Sequence, residues 1–373
     1  MKMVETAGGV GALAERLANA RLVAVDTEAA GYHRYRDRIC LLQLSTRSNT
    51  YLIDTLAVTD LHPLYPIFSD SGRELVFHDA DYDLRLLDRD FGVVVRGLFD
   101  TRIAAQFLGE SALGLANLAE KYLGIRLDKK HQRADWAQRP LPPELVAYAA
   151  EDTRYLPELR DRLRAELEAR GRLHWADEEF RLQERVRWAP VEDAEAFRRL
   201  KGTRDLEPRQ LAALRELYAW REQRAHERDV ATFRVLPNGV VVELARRMPA
   251  TRAELTGVPG LSETLATRYA AELLHALRRA RELPAESLPV RARGRGRPPP
   301  DPEADAALER LRAARDRAAE TLGLERGFLM PKQQLEELAR RRPRTRAALL
   351  AIEGVRRWQV QAAGEELLEA IQG

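Results

Sequence analysis

The sequence contains a single cysteine, Cys40, in 373 residues. One thiol excludes an intramolecular disulfide and fits a reducing, intracellular setting. The run RICLLQLST around it reads as a strand, so Cys40 reads as a small core residue rather than a nucleophile. No apolar run approaches the ~20 residues that a membrane-spanning helix requires. The opening segment MKMVETAGGVGALAERL lacks the apolar stretch of a secretory signal. The expectation is a cytoplasmic protein with no membrane partner. Cysteine and histidine at metal-ligand spacing are also missing, so any metal must be held by oxygen.

What is abundant is charge. Charged residues make up 32% of the chain, yet the net charge is only +3. The balance is uneven. Residues 1–170 hold 23 Lys and Arg against 26 Asp and Glu, leaving 38 against 32 for residues 171–373. A basic back half suits a polyanionic partner. With 45% apolar residues, the chain has material for two or three domains.

Strand-like runs come early: LVAVDTE (22–28), ICLLQLS (39–45) and TYLIDT (50–55). Short gaps between them predict an antiparallel meander. ELVFHD (74–79) reads as a further strand, YDLRLLDRDFG (82–92) as a helix stopped by Gly92, and VVVRGLFDT as a last strand. Helical patterns follow at TRIAAQFLG and ALGLANLAEKYLG, then an aperiodic loop from Ile125 to Pro140. The run from Leu141 to Gly171 keeps a helical period, with a break expected at Pro157. The first 170 residues thus read as one α/β domain.

The back half reads as wholly helical, and it repeats. LARRMPATRAELTGVPGL (244–261) matches LARRRPRTRAALLAIEGV (338–355) at an offset of 94, with Pro249/Pro343, Thr251/Thr345 and Gly260/Gly354 in register. A Pro-, Gly- and Arg-rich linker, 283–302, separates the copies. The expected organisation is an α/β domain over 1–170, a helical connector over 171–204, and helical modules over 205–282 and 303–373.

The chemistry begins at Asp26 and Glu28. Two residues apart on a strand, they face the same side. Like charges so placed repel, and each disfavours ionisation of the other. Two further acids, Asp83 in FHDADYD and Asp152 in YAAEDTRYL, are able to converge on the same sheet edge, and Tyr148 shares a helix face with Asp152. Four oxygen-donor acids suit hard cations such as Mg²⁺ or Mn²⁺. They suit two ions roughly 3.5–4 Å apart, as in phosphodiester cleavage.

VDTE, HDADYDL and YAAEDTRYL, in this order, resemble the three motifs of the DEDD superfamily of 3′→5′ exonucleases. Tyr148, four residues before Asp152, is similar to the tyrosine type. CLLQLST and RADWAQRPL resemble the ribonuclease D family more narrowly, and the repeats resemble the helicase-and-ribonuclease-D C-terminal (HRDC) domain. The resemblance implies a ribonuclease H-like mixed sheet flanked by helices, followed by two small all-α domains. It implies that Asp26, Glu28, Asp83 and Asp152 ligate two divalent ions, Mg²⁺ or Mn²⁺, with Asp26 bridging, and that Tyr148 orients the attacking water. It further implies an exoribonuclease that releases nucleoside 5′-monophosphates, with precursor tRNA as its partner and no obligate protein partner, acting as a monomer. A DNA 3′→5′ exonuclease and a non-catalytic nucleic-acid-binding protein are the competing readings. Asp79 stands where the second motif often has Asn and is not counted as a ligand.

Other residues have two readings each. His78 either touches substrate or is a satisfied structural histidine. Lys129, Lys130 and Arg139 around Trp136 suit a single-stranded 3′ end, or form a solvated loop that Trp136 anchors. Tyr32, Arg34, Tyr35 and Arg38, which follow the first motif, are further candidates for contact with the terminal nucleotides.

Overall fold

The computed structural model describes residues 1–128, 130–189, 195–290 and 301–372. In chain order the front half runs β1 (Lys2–Val4), α1 (Ala7–Leu17), β2 (Leu22–Ala29), β3 (Ile39–Ser45), β4 (Thr50–Asp54), α2 (Tyr65–Ser69), β5 (Glu74–Phe77), α3 (Asp81–Phe91), β6 (Leu98–Asp100), α4 (Thr101–Phe107), α5 (Leu115–Leu123), α6 (Pro143–Arg154), α7 (Leu156–Ala169) and α8 (Leu173–Gln183). The described strands form one mixed sheet ordered β1-β4-β3-β2-β5-β6.

The expected meander is present: β2 pairs with β3, and β3 with β4, both antiparallel. β5 and β6 extend the sheet in parallel beyond β2. β1, parallel to β4, was not expected. Three residues are too few to display a period of two, and the glycines of AGGVGALAERL weaken the helical signal that follows. Thr6 nonetheless caps α1 by accepting the Gly9 N–H at 3.1 Å. α3 ends as expected at Gly92, which takes the left-handed conformation, φ 65°, that glycine adopts without a Cβ clash. The long helical run breaks at Tyr155, two residues before Pro157, whose missing N–H and ring cannot sit in a helix interior.

Strand alternation gives the sheet two buried faces. Val23, Val25 and Leu75 pack with α1, α2 and α3. Ala24, Val76 and Phe99 pack with α4, α7 and α8.

The back half holds two helical modules. The first is α9 (Pro208–Glu227), α10 (Thr232–Val235), α11 (Asn238–Arg247), α12 (Arg252–Thr256) and α13 (Glu263–Glu282). The second is α14 (Pro302–Leu322), α15 (Arg326–Leu329), α16 (Lys332–Arg341), α17 (Arg346–Leu350) and α18 (Arg357–Gln372). The 94-residue repeat is conformational as well as chemical. Thr251 and Thr345 cap equivalent helices, accepting from Glu254 and Ala348 N–H. Gly260 and Gly354 hold φ 80° and 86°, a region costly for any residue with a Cβ. The arginine-rich stretch of the linker, 291–300, lies outside the described residues.

By contacts the chain divides into two compact units. One comprises Met1–Ala29, Ile39–Trp188 and Pro299–Gly373; the other comprises Ala30–Arg38 and Ala189–Pro298. The second helical module therefore belongs to the same unit as the sheet. Its Leu311, Leu335, Trp358 and Leu367 continue the core made by Phe107, Leu163 and Trp175.

Candidate active site

Alternation along β2 sends Asp26 and Glu28 to one face of the sheet and Thr27 to the other. α6 covers the first face and brings Asp152. Oxygen atoms of Asp26, Glu28 and Asp152 all lie within 4.8 Å of one another. Hydroxyl groups fix α6 in this register. Ser45 Oγ lies 2.7 Å from Thr153 Oγ1 and 2.8 Å from Thr50 Oγ1, all three side chains being buried. The residue beside Asp152 is thus tied to β3 and β4. At Glu28/Ala29 the β2–β3 register shifts in a bulge, a device that re-aims side chains at strand ends.

Asp83 arrives from α3 on the opposite side. It is not within the three-acid cluster; Thr27 donates its hydroxyl to Asp83 Oδ1 at 2.5 Å. The turn that delivers Asp83 depends on Asp100. This buried carboxylate caps α4 by accepting the N–H of Arg102, and it also accepts those of Asp79 (3.1 Å) and Ala80 (2.8 Å) ahead of α3. Asp79 has φ 65° and pairs with Arg102 at 3.1 Å. The left-handed backbone explains an Asn or Asp at this position, since both tolerate it best after glycine.

The electrostatics are one-sided. Burial first, and then the neighbouring acids, hold the Asp26, Glu28 and Asp83 carboxyls well above the usual carboxylate range. Asp152 is pushed up to about 7, by burial and then by Glu151. Among the described residues, no Lys or Arg forms an ion pair with any of the four. Three half-buried carboxylates beside a buried fourth, all hard oxygen donors and none ion-paired to Lys or Arg among the described residues, fit divalent cations. Gln43 adds to the fit. It is fully buried, stands opposite Asp26 in the β2–β3 register, and has no protein partner for either amide atom. A buried amide so placed calls for ordered water beside Asp26.

Tyr148 is buried on α6, one turn before Asp152. Burial, then Asp152, Glu28 and Asp26, push its phenol above the ordinary value of 10, so it remains a protonated hydroxyl at neutral pH. The Trp136 and His131 rings lie 6.1 and 5.6 Å from it, centroid to centroid.

The remaining candidates are dispersed. Arg139 uses all five N–H donors, on Asp54 and on the carbonyls of Cys40, Trp136 and Gln138, which pins the loop to β3 and β4. Trp136 is 2% exposed and anchors the same loop. Lys130 is exposed and pairs with Asp128. Lys129 lies outside the described residues. His78 lies 2.9 Å from Thr101 Oγ1, whose own proton goes to the Phe77 carbonyl, so His78 Nδ1 donates. Burial, then Arg102, lowers its pKa to about 4, keeping the ring neutral. Tyr32 falls in the other compact unit. Sequence reasoning missed Thr27, Asp100 and Gln43. Only Gln43 left a trace, as a polar residue inside the apolar run CLLQL.

Residues 1–168 match the 3′-5′ exonuclease family, and residues 210–277 and 304–371 each match the HRDC domain. Ribonuclease D of Escherichia coli (strain K12) is 34% identical over 289 residues, which cover 77% of each chain. The chain belongs to the ribonuclease D family. The crystal structure of the E. coli ribonuclease D, described as an exoribonuclease involved in structured RNA processing, is similar at a TM-score of 0.72 and 30% identity. That likeness spans 99% of this chain and 98% of that one. A Bifidobacterium adolescentis protein reaches a TM-score of 0.85 at 28% identity, covering 100% and 97%. Rat exosome complex component 10 is 33% identical over 287 residues, 73% of this chain but 32% of that protein. The chain thus spans about a third of this longer relative. In this chain the two HRDC matches lie 94 residues apart at both ends, the same offset as the repeat.

Proposed function

We propose that the protein is a metal-dependent 3′→5′ exoribonuclease that hydrolyses terminal phosphodiester bonds and releases nucleoside 5′-monophosphates. The observation that carries the reading is the converged acid set, half-buried Asp26, Glu28 and Asp152 with buried Asp83 beside them, without an ion-paired Lys or Arg among the described residues and flanked by the Tyr148 hydroxyl. Asp26, Glu28, Asp83 and Asp152 would hold two divalent ions, Mg²⁺ or Mn²⁺. Once bound, these supply water activation and charge neutralisation at the phosphoryl group. Tyr148, fixed by α6 and held protonated, orients the nucleophilic water. Family membership and the names of the relatives support RNA as substrate, and precursor tRNA 3′ ends are the natural class we assign. In this reading residues 1–170 are the catalytic domain, 171–204 a connector, and 205–282 and 303–373 nucleic-acid-binding modules joined by 283–302. Among the described residues no helix is long and apolar enough to cross a membrane. We place the enzyme in the cytoplasm, as a monomer.

The test is a time course on end-labelled single-stranded RNA and DNA of matched sequence, with Mg²⁺, Mn²⁺ or EDTA. Metal-dependent release of mononucleotides from the RNA 3′ end is expected. Degradation of DNA alone moves the assignment to a DNA exonuclease. No hydrolysis of either with any metal leaves only a binding protein.

A further inference from the structure

The segment Ala30–Arg38 leaves the sheet between β2 and β3 and packs within the second compact unit, against the first HRDC module. Backbone and charge both hold it there. Ala231 N–H donates to the His33 carbonyl at 3.2 Å, Arg34 pairs with Asp229 at 3.7 Å, and the Tyr35 ring meets His226 edge-on at 5.2 Å. At the outer end, the Tyr32 and Phe233 rings lie 5.4 Å apart and are 41% and 42% exposed. Arg234 sits over both rings, 5.2 and 5.7 Å from their centroids, and donates to the Tyr32 carbonyl at 2.9 Å.

Two exposed aromatics bound by one guanidinium form a surface that burial does not explain. Folding of the module does not require it either. At the 94-residue offset, Phe233 corresponds to Gly327 and Arg234 to Phe328, yet α15 forms over the same span as α10. The first module has an aromatic here that its own fold does not use.

We infer that Tyr32, Phe233 and Arg234 form a stacking site for unpaired bases of single-stranded RNA, outside the acid cluster. Aromatic faces and guanidinium planes stack bases without regard to sequence, and arginine adds attraction to phosphate. Arg36, exposed in the same segment, suits a polyanion. Tyr32 follows Glu28 by four residues, so the extended backbone cannot carry its Cα beyond about 14 Å from that of Glu28. The inference rests on RNA being the substrate.

The test uses the full-length protein in EDTA, with short RNA oligonucleotides that carry 2-aminopurine at successive positions from the 3′ end. Wild-type protein is expected to quench one or two positions, away from the terminal base. Phe233→Gly, which copies the second module, should lose that quenching and bind at least about five-fold more weakly. Its salt slope should be unchanged, while Arg234→Gln should lower the slope by about one. Phe233→Trp should restore quenching. Wild-type quenching and affinity in Phe233→Gly, with normal RNA cleavage, overturn the stacking site and leave the exoribonuclease reading intact. A wild-type protein that cleaves no RNA with any metal overturns that reading first, and this inference with it.

Discussion

Glu178 caps a helix that begins 179 residues further along the chain: its two carboxylate oxygens accept the N–H groups of Arg357 and Trp358, each at 2.9 Å. A carboxylate over the first turn of a helix satisfies orphan donors and opposes the positive end of the dipole. Glu179, beside it, accepts the Trp358 indole N–H at 2.6 Å. Replacing Glu178 with Ala should cost about 0.5–2 kcal/mol, the usual loss of a cap. Trp358→Ala removes a side chain that is 2% exposed, at a cost of about 3–5 kcal/mol. Because the two elements share one core, urea denaturation of either variant should shift the exonuclease and second-module signals together. Separate transitions would show that the module is an appendage.

Asp26→Asn should reduce the rate of mononucleotide release by more than about 100-fold at saturating Mg²⁺, with little change in RNA affinity. The residue supplies an oxygen to the acid set, and under the proposed function phosphate attraction is expected from basic groups elsewhere. Single-turnover cleavage and filter binding measured in parallel check both halves. Retention of a tenth of the wild-type rate, a loss of about 1.4 kcal/mol, removes Asp26 from the primary ligands.

A carboxyl whose pKa is raised in the folded state binds its proton more tightly folded than unfolded. Its contribution to stability is present below the unfolded value near 3.8 and is lost as pH rises towards the folded value, about 7 for Asp152. In EDTA, the Tm of Asp152→Asn should therefore exceed that of the wild type by a margin that grows from pH 4 to 7. Added Mg²⁺ should stabilise the wild type more at pH 7.5 than at pH 5, because bound metal displaces protons. Thermal melts across this range decide it, and a margin that shrinks with pH contradicts the burial of a like-charged set.

Tyr148→Phe keeps the ring that packs near Trp136 and His131 and removes only the hydroxyl. We expect the chemical step to slow by about 10²–10⁴, the range for positioning and proton-handling groups. Metal affinity should be nearly unchanged, by Mn²⁺ titration. An unaltered single-turnover rate takes Tyr148 out of the reaction.

The sequence disclosed the parts of this molecule that depend on short-range pattern. β2, β3 and β4 are apolar runs with brief gaps, and α3 stops at a glycine. Asp26, Glu28, Tyr148 and Asp152 obey the spacings of a strand and a helix. What was hidden depends on contacts across the chain. Thr27 had no reason to stand out until α3 brought Asp83 to its hydroxyl. Asp100 looked like the end of a strand, but it organises two helix starts by accepting four backbone N–H groups. Arg139 seemed available for phosphate until its partners, Asp54 and the Cys40 carbonyl, came from strands 85 and 99 residues earlier. The joining of the second module to the sheet's own core was also invisible, since an apolar residue such as Trp358 carries no label for what it will touch.

The repeat has one more implication. Two copies of one helical fold stand in this chain, and their outward residues have parted company at matched positions. Trp358, Arg356 and Gln361, which meet α8, correspond to Thr264, Ser262 and Thr267 in the first copy. Phe233, which meets Tyr32, corresponds to Gly327 in the second. The copies are therefore not interchangeable parts. A chimera in which they trade places would keep every helix, cap and left-handed glycine of the fold. It would nevertheless weaken both attachments at once, because the side chains that each copy uses for its grip are ones that the other never acquired.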